Sequence, residues 1–255
     1  MPVFNDYAQY YDLIYKNKNY REEAQYTHNL ISKYRPGCKS LLDIGCGTGR
    51  HIIEFIKLGY NVTGVDISPR MIELAEKNIK SSHPGDVTPS LITHDVRTLA
   101  MDREFDVIVS LFHVMSYQTS DPDINNAFSS IRKHMGPCGI FIFDFWYAPA
   151  VLCSKPEKRK NRYTINNLEI TRIALPEIHE EKNLVDVNYQ LIINDDEGIL
   201  IQEILETHSM RYYSTSDIET YLAMHGFRLL DMFAWMGQKQ PDIHSWSACA
   251  VAGLK

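Results

Sequence analysis

The sequence predicts an α/β fold: a doubly wound, mostly parallel sheet of seven strands, with an N-terminal helical cap and an inserted antiparallel β meander. Three observations predict it. From residue 40 to residue 145 short apolar runs alternate with helical stretches, the rhythm of βαβ units whose helices cover both faces of a parallel sheet. The first run, Leu41-Leu42-Asp43-Ile44, leads straight into Gly45-Cys46-Gly47-Thr48-Gly49, a tight strand-to-helix turn. The rhythm breaks near residue 150, and residues 184–193 then alternate strictly. Val185, Val187, Tyr189, Leu191 and Ile193 fall on one side, and Asp186, Asn188 and Gln190 on the other.

Each element has its own signal. Residues 4–16 carry Tyr7, Tyr11 and Tyr15, one stripe of a short helix. Asn19 with Glu22 makes an N-cap box for a second helix, which ends before Pro36-Gly37. A strand at 40–44 is followed by a helix at 49–58, closed by Gly59. After a strand at 61–66, Ser68-Pro69 supplies an N-cap and a first-turn proline for a helix to about residue 80. A polar loop with Pro84-Gly85 leads to a short strand at 90–93, and Phe105 to Leu111 is a buried strand. Asp121-Pro122 opens a helix that ends before Gly136-Pro137, and Ile140 to Phe145 is the fifth strand. The alternating strand turns at Asp195-Asp196-Glu197-Gly198 into another at 199–211. Ser216 and Glu219 read as the capping box of a helix ending at Gly226. Strands at 227–235 and 246–253 complete the seven, joined so closely that they must be antiparallel neighbours. The expected organisation is a cap at 1–37, a core at 38–150 and 212–255, and an insertion at 151–211.

Composition narrows the partners. The net charge of −6 argues against nucleic acid, since phosphate binding needs a basic face. No apolar run approaches membrane-spanning length, so no membrane partner is expected. The five cysteines are odd in number and form no C-x-x-C pair, and the ten histidines show no metal-ligand spacing. No metal site is expected. The first six residues lack a basic-then-apolar leader pattern, so the expected compartment is the cytoplasm. Either a monomer or a homodimer is compatible with the meander's alternation.

The glycine turn, with Asp66 at the tip of the second strand, describes a site for an adenosine-containing ligand. Glycines let backbone approach a ligand, and a carboxylate at that tip can accept from both ribose hydroxyls. The pattern is D-x-G-x-G-x-G. Arg50 stands where a dinucleotide fingerprint needs its last glycine, and Asp43 suits an ammonium group better than a pyrophosphate. Together with Val62-Thr63-Gly64-Val65-Asp66, this arrangement resembles motif I of the class I S-adenosylmethionine-dependent methyltransferases. The resemblance implies the Rossmann-like methyltransferase fold, S-adenosylmethionine as donor and S-adenosylhomocysteine as product. It also implies roles. Gly45, Cys46, Gly47 and Gly49 would lie along the methionyl portion, Asp66 would hold the ribose and Ile67 would pack on the adenine. Asp95 and Val96 would meet the adenine edge, and Leu111 would close over the sulfur. Tyr11, Tyr15 and Arg50 would fold over the methionine, although tyrosines at helical spacing equally suit simple packing.

Four segments extend the likeness to the nucleotide-sugar N-methyltransferases. They are Tyr11-Asp12-Leu13-Ile14-Tyr15 with Tyr20-Arg21-Glu22-Glu23-Ala24, the glycine loop with His51, Phe145-Trp146-Tyr147-Ala148-Pro149, and the meander running into His208-Ser209-Met210-Arg211-Tyr212-Tyr213. The chain departs from that family near the last strand, where Pro241-Asp242-Ile243-His244-Ser245-Trp246 stands in place of the Gly and Arg beside which the nucleotide diphosphate docks. The resemblance implies methylation of the amino group of a nucleotide-linked amino sugar, with another small N- or O-acceptor as the alternative. Methyl transfer from a sulfonium is an in-line displacement, and alignment alone can supply roughly 7–11 kcal/mol. A neutral amine needs no strong base, whereas an alcohol does. Tyr117 and His113 are the candidates for orienting or accepting a proton, with Tyr7 reaching the same space. Trp146 and Tyr147 offer an apolar wall. The basic run Lys155 to Arg162 reads either as a solvated loop or as an electrostatic guide for a diphosphate.

Overall fold

In the computed structural model the described residues are 6–82, 88–165 and 167–255; the Pro84-Gly85 loop and residues 1–5, with the first two residues of the helix expected at 4–16, lie outside them. The helices α1 (Ala8–Ile14) and α2 (Tyr20–Tyr34) precede β1 (Ser40–Ile44). Then come α3 (Arg50–Lys57), β2 (Asn61–Asp66), α4 (Pro69–Ser82), β3 (Ser90–Thr93), β4 (Phe105–Ser110), α5 (Asp121–Lys133) and β5 (Met135–Tyr147). A short α6 (Ala148–Cys153) leads to four strands, β6 (Arg159–Ile165), β7 (Leu168–His179), β8 (Leu184–Asp195) and β9 (Leu200–Tyr213). The chain closes with α7 (Thr215–Met224), β10 (Phe227–Ala234) and β11 (Ser247–Leu254).

The core sheet runs β3-β2-β1-β4-β5, all parallel, with β11 antiparallel beside β5 and β10 antiparallel beside β11. These are the seven expected strands. The meander extends this same sheet: β9 pairs in parallel with β5 at Trp146 and Tyr147. The reason lies in strand length. β4 stops opposite Phe143 while β11 holds the other edge of β5 as far as Trp146. The last residues of β5 therefore offer a free edge, and β9 takes it.

Three expectations need correction. The meander has four strands, not two: β6 and β7 carry no clean alternation, because β6 is almost wholly exposed and β7 contains Pro176. Pro176 is tolerated because β6 reaches only to Ala174, leaving β7 with one neighbour there. β5 begins at Met135, so Gly136-Pro137 lies in an irregular start of that strand, beside a register shift opposite β4. The capping box of α7 is Ser214 with Asp217, two residues earlier than Ser216 with Glu219. The cap of α2 forms as expected, with Asn19 Oδ1 accepting from the Glu22 N–H at 3.2 Å.

Successive residues of the central strands point to opposite faces. Leu42, Ile44, Ile108, Phe141 and Phe143 build one core with Phe128 of α5, while Leu41, Val107, Val109, Ile140 and Ile142 build the other with Phe55 of α3. A third cluster decides where the site is. Tyr7, which caps α1, and Tyr11 and Ile14 of α1 pack against Ile170, Leu191, Ile193 and Ile204 of the meander. This joins the cap helix and the meander above the C-terminal ends of the parallel strands. No helix among the described residues is long and apolar enough to cross a membrane.

Candidate active site

Under that roof lies a cavity of about 940 Å³. Its position is the one open α/β sheets favour, beyond the carboxyl ends of the strands. One end is lined by Gly45, Cys46, Gly47, Arg50, Asp66 and Ile67, with Asp95, Val96 and Leu111 beside them. Most of the residues expected to hold the donor thus meet along one wall of this cavity.

The glycine loop is built by β1 and β2 together. Val65 O accepts from the N–H groups of Gly45 (2.7 Å) and Cys46 (3.0 Å), which bends the chain out of the strand. Gly45 has φ +72°, and a Cβ there would stand 2.4 Å from Val114 Cγ2. Gly47, at φ +53°, would meet nothing within 4 Å, so its bare backbone faces open space in which a ligand fits. Gly49 does not line the cavity. It starts α3 and packs against Ala75 and Ile79 of α4, so its glycine serves helix packing rather than ligand approach.

Asp66 Oδ2 accepts from the Gly47 N–H and Oδ1 from the Ser68 N–H, both at 2.9 Å. Burial pushes its carboxyl up, and these backbone donors oppose the rise. A carboxylate has about four acceptor sites, so capacity remains for a ligand diol. Asp95 is more committed. Its carboxylate takes the Arg97 N–H at 2.9 Å and the Arg97 guanidinium at 2.6–3.0 Å, and Arg97 also reaches Asp123 at 2.7 Å. Burial alone would raise the Asp95 carboxyl, but Arg97 holds it below the usual range. Asp95 therefore caps a turn as well as lining the cavity.

Asp12 of α1 escaped sequence reasoning. Its Oδ1 accepts from Thr48 Oγ1 (2.6 Å), and its Oδ2 from Arg50 (2.9 Å) and Asn78 (2.8 Å). It fastens the cap helix to the glycine loop and holds Tyr11 and Tyr15 over the cavity, their rings 4.7 Å apart. The available signal was an acid standing beside a buried tyrosine stripe.

Asp43 lies beneath the loop, 1% exposed, and its Oδ2 has no hydrogen-bond partner among the described residues. Burial, reinforced by Asp66, pushes its carboxyl up to about 6. Folding therefore favours the protonated form, and stability is lost as pH rises from the unfolded value near 4 through 6. Asp43→Asn is expected to raise unfolding stability by up to roughly 3 kcal/mol at pH 8 and by nothing at pH 4. Denaturant melts at the two pH values check this.

The other end of the cavity holds His113, Tyr117, Trp146, Trp246, His208 and Arg172. β4 leaves the sheet through Phe112 (φ 67°) and His113 (φ 65°), two successive left-handed residues that are not glycine. Such backbone costs about 1–3 kcal/mol per residue. Asp144 of β5, buried within the sheet, holds it: Oδ1 accepts from the His113 N–H at 3.0 Å. Asp144 Oδ2 lies 2.7 Å from His113 Nδ1, close but without hydrogen-bond alignment. Tyr117 Oη lies 2.8 Å from His208 Nδ1, and Glu206 Oε2 lies 3.2 Å from His208 Nε2. Burial drives the Tyr117 phenol far above its ordinary value, so it is neutral and can orient but not act as a base.

Two expected residues lie elsewhere. Tyr7 is 1% exposed and packs behind the wall, its ring 5.6 Å from Tyr189 and 5.7 Å from His208. Tyr147 points to the opposite face of β5 from Trp146, joining the core with its hydroxyl 3.3 Å from Thr215. Asp144, His208, Glu206 and Arg172 were missed. The only local signal was Asp144, the lone acid inside the Ile140 to Phe145 run.

Residues 41–139 match the model of the methyltransferase domain family. The dTDP-3-amino-3,4,6-trideoxy-alpha-D-glucopyranose N,N-dimethyltransferase of Streptomyces venezuelae is 30% identical over 148 residues, covering 56% of this chain and 59% of that enzyme. The match thus spans less than two thirds of that relative's length. The dTDP-3-amino-3,6-dideoxy-alpha-D-glucopyranose N,N-dimethyltransferase of Streptomyces fradiae is 24% identical, with 83% of this chain and 80% of that enzyme covered. The crystal structure of an S-adenosylmethionine-dependent methyltransferase from Clostridium acetobutylicum superposes with a TM-score of 0.82 at 22% identity, covering 99% of each chain, and so shares the fold.

Proposed function

From the methyltransferase-domain match over residues 41–139 we propose that the chain uses S-adenosylmethionine to methylate the amino nitrogen of a nucleotide-linked amino sugar. One observation carries the reading: a single cavity runs from the glycine loop and Asp66 to the Tyr117–His208 pair and the two tryptophans. The names of the two Streptomyces relatives support the acceptor class. When bound, S-adenosylmethionine supplies a methyl group on a cationic sulfur. The bare backbone at Gly47 and the spare acceptor sites of Asp66 fit that donor.

The chain's own residues then align and dry the reaction. Tyr11 and Tyr15 close one side, and Trp146 and Trp246 the other, excluding water. Tyr117 orients the incoming nitrogen. Asp144 beside Nδ1 favours the tautomer with the proton there, which leaves His113 Nε2 able to accept the proton from the methylated ammonium. The same pair would serve a hydroxyl acceptor, which makes an alcohol the second reading. The five free cysteines suit a reducing compartment, and we assign the protein to the cytoplasm.

Calorimetric titration with S-adenosylhomocysteine, followed by mass spectrometry of reactions with thymidine-diphosphate amino sugars, checks the proposal. A product heavier by one or two methyl groups is expected. Donor binding with an unmodified amino sugar, while a simple amine or phenol gains a methyl, overturns the acceptor.

A further inference from the structure

Four arginines line the cavity, and they divide into two kinds. Arg50 is neutralised by Asp12, and Arg97 by Asp95 and Asp123. Arg159 and Arg172, both from the meander, have no carboxylate within 4.0 Å among the described residues. Arg172 is the unusual one. It is only partly exposed, its Nε has no hydrogen-bond partner among the described residues, and its polar contacts are with tyrosine hydroxyls, a 3.3 Å bond from Nη2 to Tyr15 Oη and a bond to Tyr189. The guanidinium lies 4.4 Å from the centre of the Tyr189 ring and 5.7 Å from that of Tyr15. A guanidinium has five donors in a planar fork, so most of its capacity is unused.

Register puts the two arginines together. Arg159 pairs with Ala174, and Asn161 with Arg172. Directly opposed residues share a face, so both arginines project from one face of β6 and β7 as diagonal neighbours, about 7–8 Å apart at the backbone. The tyrosines hold Arg172 in place without cancelling its charge. The walls around it supply cation–π contact and tyrosine hydroxyls, but no carboxylate within 4.0 Å among the described residues.

We propose that Arg172, with Arg159 beside it, is the anchor for an anionic group of the acceptor. Resting on the function proposed above, that group is the diphosphate of the nucleotide sugar. The meander thereby supplies the positive charge that the segment Pro241 to Trp246 lacks. Arg172 grips by bidentate hydrogen bonds, and Arg159 at the exposed rim adds a screened attraction.

The test is calorimetry on the full chain saturated with S-adenosylhomocysteine. Thymidine diphosphate is expected to bind the wild type, and thymidine without phosphates at least about tenfold more weakly, the worth of one charge-assisted hydrogen bond. Arg172→Gln should lose about tenfold or more for thymidine diphosphate and keep its affinity for S-adenosylhomocysteine. Arg159→Gln should show a smaller loss that fades with added salt. Unchanged thymidine diphosphate affinity in Arg172→Gln overturns the anchor. If that variant does not fold, Arg172→Lys, which keeps charge but not the fork, must show the loss, and wild-type affinity in it overturns the anchor equally. Failure of the acceptor reading looks different. If thymidine diphosphate does not bind the wild type but glycine does, through Arg172, the anchor stands on a carboxylate and the nucleotide sugar falls. If no anion binds through Arg172, the anchor itself falls.

Discussion

Asp66→Ala is expected to weaken S-adenosylhomocysteine binding by two orders of magnitude or more, measured by calorimetry at neutral pH. Hydrogen bonds to a charged group contribute about 1.5–3 kcal/mol each, and a ribose diol offers two. The carboxylate also holds the Gly47 N–H at 2.9 Å, so its removal loosens the stretch of loop that faces open space. The folded protein itself should suffer little. Asp66 is 9% exposed with no cation bonded to it among the described residues, and burial has already raised its carboxyl, so deleting the charge removes a penalty along with two backbone bonds. Asp66→Asn keeps the size and one acceptor oxygen and is expected to fall between the wild type and Asp66→Ala. Wild-type affinity in Asp66→Ala would place the adenosine elsewhere.

Asp144→Asn is expected to lower kcat about a hundredfold while leaving donor affinity near normal. An asparagine can still accept from the His113 N–H through its oxygen, which preserves the left-handed turn. Its nitrogen then faces Nδ1 as a donor, where Asp144 presented an acceptor 2.7 Å away. The imidazole must shift its proton to Nε2, the atom needed to receive the proton from the product. General-base assistance is typically worth 10²–10⁴ in rate, so its loss is visible even where alignment supplies most of the acceleration. A kcat within twofold of the wild type would leave alignment as the sole contribution of this end of the cavity. Asp144→Ala is a harsher change, because it leaves the His113 N–H buried and unbonded at a cost of about 1–3 kcal/mol.

The core sheet was legible because its signals are local. Gly45, Gly47 and Asp66 announce their turn within one βα unit, and Ser68-Pro69 fixes the start of α4 without help from the rest of the chain. The acceptor end was not legible for the opposite reason. His113 and Asp144 are neighbours only because β4 and β5 pair, and Tyr117 meets His208 across 91 positions because β9 docks on the free end of β5. Asp12 gains its partners Thr48, Arg50 and Asn78 only because α1 folds over the glycine loop. Tyr147 misled because adjacent strand residues share every compositional signal and differ only in which face they occupy. β6 and β7 were hidden because an exposed strand lacks the hydrophobic alternation that one buried face imposes.

β6 borders no strand but β7 among the described residues, so its outer row of backbone donors and acceptors is open to water. Such a row is an invitation to self-association: an identical chain could zip onto it and go on zipping. Arg159, Lys160 and Arg162 stand along that border, and two copies brought edge to edge would crowd six cations into one seam. Whatever Arg159 does for a ligand, the run to which it belongs keeps a long, continuous sheet from growing past its own molecule.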